Sequence, residues 1–163
     1  MLAIRRCLPI RIHKRISLKV ELKVFPHGDG LPFPASASVG SAGYDLCAAT
    51  ESDLKIQPWQ SVIIPSGIAI SLPLGYEAQI RPRSGLAFKH GITILNTPGT
   101  IDSDYRGEIK ICLINLSDTE FLVSRGMRIA QMVIAKYEHI EWSQTDNLSS
   151  TDRGEGGFGH TGK

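Results

Sequence analysis

Apolar and polar residues alternate along Ile16-Ser-Leu-Lys-Val-Glu-Leu-Lys-Val24, the two-residue period of a strand with one buried face. The stretch from Pro26 to Ser38 breaks that rhythm with Pro, Gly and Ser and reads as a loop. Short apolar or alternating runs follow at near-regular spacing. They predict strands over Tyr44–Ala48, Ser61–Ile64, Ile68–Leu72, Tyr76–Arg81, Ile92–Leu95, Gly107–Asn115, Glu120–Val123 and Arg128–Tyr137, punctuated by Gly, Pro, Asn and Asp. Only Ser84-Gly-Leu-Ala-Phe-Lys-His90 suggests a helix, one short turn with Ser84 as its cap. No long helical period occurs. Many short strands predict an all-β sandwich or barrel.

Composition narrows the class without changing it. The chain has 163 residues, which suits one domain, and 42% hydrophobic residues, enough for a core. No apolar run approaches a membrane span. A net charge of +2 is too small to hold nucleic acid by field alone. Cys7, Cys47 and Cys112 are odd in number and lack Cys-x-x-Cys spacing. Neither a disulfide framework nor structural zinc is expected, and a reducing cytoplasm is the natural setting. Asn115-Leu-Ser117 and Asn147-Leu-Ser149 match a glycosylation sequon, which has no meaning without secretion. Residues 1–15 carry Arg5, Arg6, Arg11, Lys14 and Arg15, and no acid precedes Glu21. They lack the apolar centre and cleavage site of a secretory signal and are poor in Ser for a transit peptide. The expected organisation is a disordered basic extension (1–15), a β domain (16–145) and a flexible arm (146–163).

Three segments carry chemistry. Thr100-Ile-Asp-Ser-Asp-Tyr-Arg-Gly107 gathers Asp102, Asp104, Tyr105 and Arg106 in one loop. Few cores tolerate that set, and a carboxylate near an arginine suits a general base working beside anionic substrate oxygens. The plainer reading is a solvated turn with charged rims. Arg81-Pro-Arg-Ser-Gly-Leu-Ala87 offers an anion site built from Arg83, the Ser84 hydroxyl and main-chain N–H groups, or equally a plain turn. Arg153-Gly-Glu-Gly-Gly-Phe-Gly-His-Thr-Gly162 is a glycine-rich ending whose N–H groups can approach phosphate and whose Phe158 can stack on a flat ligand. Its plainer reading is a polar tail. It is not a Walker A loop.

With Ser41-Ala-Gly-Tyr-Asp-Leu46 and Gly126-Met-Arg-Ile-Ala-Gln131, these segments form five motifs in order, counting Asn96 to Gly107 as the third. The chain resembles the trimeric dUTP pyrophosphatase (dUTPase) family from about Ile16 to its C-terminus. The resemblance implies a jelly-roll homotrimer whose sites are shared between subunits and closed by a glycine-rich C-terminal arm. It implies hydrolysis of dUTP to dUMP and pyrophosphate, with Mg²⁺ held by the phosphates and by water. Asp102 would polarise the attacking water. Tyr105 would pack under the deoxyribose and leave no room for a 2′-hydroxyl. Asn96, with the main chain of Gly99, Thr100 and Ile101, would read the uracil edge. Arg83, Ser84, Gly85 and Gln131 would bind phosphate, and Asp45 would touch Mg²⁺ only through water. Arg153 would reach the γ-phosphate and Phe158 would stack over uracil, with Gly159 and Thr161 also in the arm's contacts. His160 stands where many members have Ser, which leaves Thr161 as the hydroxyl donor.

Two other readings share the fold. A dCTP deaminase would attack the base and release ammonia, but the Phe158 arm and the Asp102–Tyr105 pair match the hydrolase. A trimer that only binds nucleotide would have no use for Asp102. Neither nucleic acid nor membrane is an expected partner.

Overall fold

The computed structural model describes residues 17–157. In chain order these form β1 (Glu21–Val24), a 3₁₀ turn (Pro26–Gly28), β2 (Gly43–Cys47), β3 (Leu54–Ile56), β4 (Ser61–Pro65), β5 (Ile68–Ser71) and β6 (Tyr76–Arg81). Then come α1 (Ser84–His90), β7 (Ile92–Ile94), β8 (Gly99–Ile101), β9 (Lys110–Asn115), β10 (Phe121–Val123) and β11 (Arg128–Lys136). The fold is all-β with one short helix. Every pairing is antiparallel, and the main sheets run β2-β11-β6-β8 and β4-β9-β7, with the pairs β1-β5 and β10-β3 beside them.

The two-residue period decides which face is inside. In β9, Ile111 and Leu113 are 1% exposed while Lys110, Cys112 and Ile114 turn outward. Ile64 and Ile94 join them from the neighbouring β4 and β7, and Ile80 and Ile129 from the larger sheet. Each such side chain contributes about 1.5–3 kcal/mol by leaving water. Asn115 is fully buried yet satisfied. Its Nδ2 donates to Ile56 O (3.0 Å) and Thr119 O (2.8 Å), and its Oδ1 accepts from Ser117 N (2.9 Å) and Ser117 Oγ (2.7 Å). That side chain ties β3 to the end of β9, so the first sequon is a structural asparagine closed to modification.

Most expected strands form, with instructive differences. Of the expected strand Ile16–Val24, Ile16 lies outside the described residues, and within 17–24 only Glu21–Val24 is a strand, paired with Ile68–Ser71 of β5. β3 and β8 were not expected as strands. Three residues each, they are too short for periodicity to register. β9 starts at Lys110 rather than Gly107, since its ladder with β4 ends at the Pro65–Lys110 pair. The helix covers the expected Ser84–His90, nearly two turns, and ends where Gly91 adopts φ 64. Ser84 does not cap it. Arg83 holds the extended cap conformation (φ −88, ψ 127), and Ser84 is already helical, so its hydroxyl remains free of the helix.

Trp59 is the one non-glycine residue with positive φ (63) among the described residues, and it is 72% exposed. The left-handed region costs an L-residue roughly 1–2 kcal/mol, partly offset by the extra chain entropy glycine would lose, about 0.5–1 kcal/mol. Trp59→Gly is therefore expected to stabilise the protein by up to about 1 kcal/mol, roughly 2–4 °C in calorimetric Tm, with kcat unchanged. A lower Tm would show that the indole ring packs in the assembled protein.

Candidate active site

Three strands of the larger sheet bring the first, second and fourth motifs together. Gln131 of β11 sits opposite Asp45 of β2 on one side and Arg81 of β6 on the other. Arg83, just past β6, donates from Nε to Asp45 Oδ1 (3.0 Å) and from Nη1 to the Arg128 carbonyl (3.0 Å). Arg128 Nη1 donates to Asp45 Oδ2 (3.0 Å). Asp45 is thus gripped by two guanidinium groups at the mouth of the site. Arg128 was not singled out from the sequence. The only signal was its place inside the fourth motif, at the outward-facing start of a strand.

Gln131 Nε2 donates to Pro82 O (2.9 Å), which lays its side chain across the β2 edge. A methyl group built on Gly43 would collide with Gln131 Oε1 and come within 3.2 Å of its Cδ. Glycine at 43 is what lets the amide lie there. Next to it, Ser84 and Gly85 open α1 with main-chain N–H groups that have no partner within the helix. A Cβ on Gly85 would meet nothing within 4 Å, so this stretch of backbone faces open space.

Cys47 lies two residues from Asp45. Burial pushes its thiol above the ordinary value, and the Asp45 carboxylate adds to that against the opposing pull of Arg128 and Arg83. A thiol held protonated is a poor nucleophile.

The third motif forms its own unit. Asn96 is exposed, the Thr97–Pro98 peptide is cis, and Gly99 is buried with the Asn96 Nδ2 only 3.3 Å from where its Cβ would be. β8 then pairs with β6, and the chain turns sharply, with the Tyr105 N–H donating to Asp102 O (3.1 Å). The Asp102 carboxylate is exposed and has no hydrogen-bond partner among the described residues. The Tyr105 ring lies over Gly107, where any Cβ would collide with it, and its hydroxyl donates to Glu108 O (3.0 Å). Arg106 does not stand beside Asp102 as an anion partner. Its Nη1 is turned back onto Ser103 O (2.7 Å) and Tyr105 O (2.9 Å), so it fixes the loop.

One chain does not bring the two groups together. Asp45 lies three strands across the sheet from β8, and Asp102 follows Ile101, which faces Ala78. Strand spacings of about 4.8 Å and rises of about 3.4 Å put Asp45 and Asp102 roughly 20 Å apart. Arg153 is likewise occupied locally, its Nε donating to Gly156 O (2.8 Å) within a tight turn. Phe158, Gly159, His160 and Thr161 lie outside the described residues.

These arrangements have close parallels. The family model described as dUTPase matches residues 29–162. The deoxyuridine 5′-triphosphate nucleotidohydrolase of Rickettsia typhi is 57% identical over 145 residues, 89% of this chain and 97% of that protein. Among solved structures, a variant dUTPase of Staphylococcus bacteriophage 80alpha with dUpNHpp is similar at TM-score 0.80 and 25% identity, covering 89% of this chain and 99% of that one. A variant dUTPase from phage phi11 of S. aureus, described with a structural Mg(II) ion, is similar in fold at TM-score 0.72 and 22% identity over 81% of this chain and 99% of that one. With that match spanning all five motifs, and with the second and fourth gathered around Asp45, the chain belongs to the dUTPase family and is a dUTP diphosphatase.

Proposed function

We propose that this enzyme acts as a homotrimer in which water, activated by Asp102, attacks the α-phosphate of dUTP with Mg²⁺ bound, giving dUMP and pyrophosphate. The observation that carries this reading is the exposed Asp102 carboxylate, without a hydrogen-bond partner among the described residues, on a loop held by its own turn. A base engaged in ion pairs could not accept a proton from water as readily. Tyr105 beside it packs under the deoxyribose. Asn96 and the main chain of Gly99, Thr100 and Ile101 read the uracil edge, where a cytosine would leave buried polar groups unpaired. Arg83, Ser84, Gly85 and Gln131 receive the phosphates, and Arg153, Phe158, Gly159 and Thr161 close over the nucleotide from the arm. Removing dUTP keeps uracil out of DNA, and the product dUMP feeds dTMP synthesis. Free thiols at Cys47 and Cys112 fit a cytoplasmic setting.

The donor set suits Mg²⁺ carried by the substrate. No group of three His, Cys, Asp or Glu side chains that could hold a metal occurs among the described residues, and each Asp45 oxygen already accepts from an arginine. A carboxylate oxygen keeps further lone pairs for ordered water, so Asp45 suits contact with a hydrated ion. Bound to the triphosphate, Mg²⁺ would neutralise its charge. Assays of pyrophosphate release from a panel of dNTPs, with and without Mg²⁺, test the reading. Release from dUTP alone supports it, and ammonia release from dCTP would replace it with a deaminase.

The trimer rests on two supports. The roughly 20 Å between Asp45 and Asp102 calls for a second copy to complete each site. An outward row on the smaller sheet, Ile63 (63% exposed), Cys112 and Leu95 (56% exposed), is apolar and suits a subunit contact. The jelly-roll topology of the assembled domain belongs to the same reading. Asp102→Asn chains mixed with chains ending before Arg153 should regain part of the activity, because some sites then combine an intact Asp102 with an intact arm. Verified subunit exchange without rescue would remove arm donation between subunits.

A further inference from the structure

Glu108 belongs to none of the groups assigned above, yet the Asp102–Gly107 loop stands on it. Its side chain is 11% exposed, and its Oε1 accepts from His27 Nε2 (2.7 Å) and from the Gly67 N–H (2.8 Å). Its own carbonyl accepts the Tyr105 hydroxyl (3.0 Å). One residue therefore links the Tyr105 ring to two distant parts of the chain.

Those two parts are themselves rigid. Gly67 adopts φ 72 and packs backbone to backbone against Gly28, where a Cβ on Gly28 would come within 2.8 Å of Gly67 Cα. The Phe25 N–H donates to Gly67 O (2.8 Å). The carbonyl of His27 accepts from Arg125 Nη1 (2.7 Å), which fixes the turn that carries the imidazole. The Phe25 ring stacks on that imidazole at 5.8 Å. Ile109, which follows Glu108, is fully buried and bonded to Ile68 O (2.9 Å). A carboxylate taking two hydrogen bonds from so fixed a floor holds its own main chain in one place.

We propose that Glu108 is a positioning residue for sugar selection. By gripping His27 and Gly67 it holds the carbonyl that receives the Tyr105 hydroxyl, and so sets how closely the ring approaches the sugar. Gly107 completes the arrangement, because the ring has room only where residue 107 lacks a Cβ. The inference rests on the placement of Tyr105 under the deoxyribose. A ring that retreats even slightly admits a 2′-hydroxyl, so the loss falls on discrimination between dUTP and UTP more than on folding.

The test is the ratio of kcat/KM for dUTP to that for UTP, measured on the full chain with Mg²⁺. Glu108→Ala is expected to lower the ratio by about tenfold, within the scale on which ångström misplacement acts. Glu108→Gln keeps an acceptor oxygen for both donors and should restore it. His27→Ala removes one grip at a half-exposed position and should lower the ratio less, which keeps a readout if Glu108→Ala does not fold. Tyr105→Ala tests the underlying placement, since it should lower the ratio most. A collapsed ratio in Tyr105→Ala with an unchanged one in the folded Glu108→Ala or His27→Ala variants overturns the role of Glu108 alone. An unchanged ratio in Tyr105→Ala overturns the sugar placement and this proposal with it.

Discussion

Asp102→Asn is expected to bind dUTP nearly as well as the parent protein and to hydrolyse it roughly 10²–10⁴-fold more slowly, the usual worth of a general base. The amide has the shape of the carboxylate but takes no proton from water. Among the described residues the Asp102 side chain has no hydrogen-bond partner, so the exchange removes no fold-stabilising contact there. Unfolding temperature should therefore stay put while kcat falls. Single-turnover kinetics together with a binding titration using a non-hydrolysable dUTP analogue separates the two effects. Near-normal turnover would take Asp102 out of the mechanism.

Gly43→Ala should act through a different residue from the one replaced. The added methyl group collides with the Gln131 amide and forces it off Pro82 O. The obstacle is the far end of a flexible side chain, so the fold absorbs the change by moving Gln131. A hydrogen bond to a charged group is worth about 1.5–3 kcal/mol, which makes the expected fall in kcat/KM roughly 10–150-fold, with little change in Tm. The double variant Gly43→Ala/Gln131→Ala should be no worse than Gln131→Ala, because both remove one contact. Fully additive losses would show that Gly43 matters for its own backbone.

Much of this was legible in the chain. Tyr76–Arg81 forms where the pattern put it, and Arg128–Tyr137 forms as Arg128–Lys136, one residue short. Asp45, Arg83 and Gln131 were named from their motifs, and the structure gathers them. Glu108 was hidden because it sits inside a run that looked like strand, and its partners are 81 and 41 residues away. Ser84 looked like a cap because Ser favours that role, but the extended backbone at Arg83 takes it instead. Phe158 and the rest of the last motif beyond residue 157 rest on the resemblance.

The sequence by itself determined the class of fold, the chemical groups and their order. Local alternation records which face of each strand is buried, and five ordered motifs specify a nucleotide chemistry. Only the tertiary structure decided which groups meet. Asp45 finds Arg83 and Arg128 at separations of 38 and 83 residues, through antiparallel registers that no local window contains. The same registers hold Asp102, just past the end of β8, away from Asp45 of β2 in the same sheet. A side chain's periodicity is fixed by its neighbours in sequence, whereas its contacts are fixed by the pairing of whole strands, which the core as a unit selects.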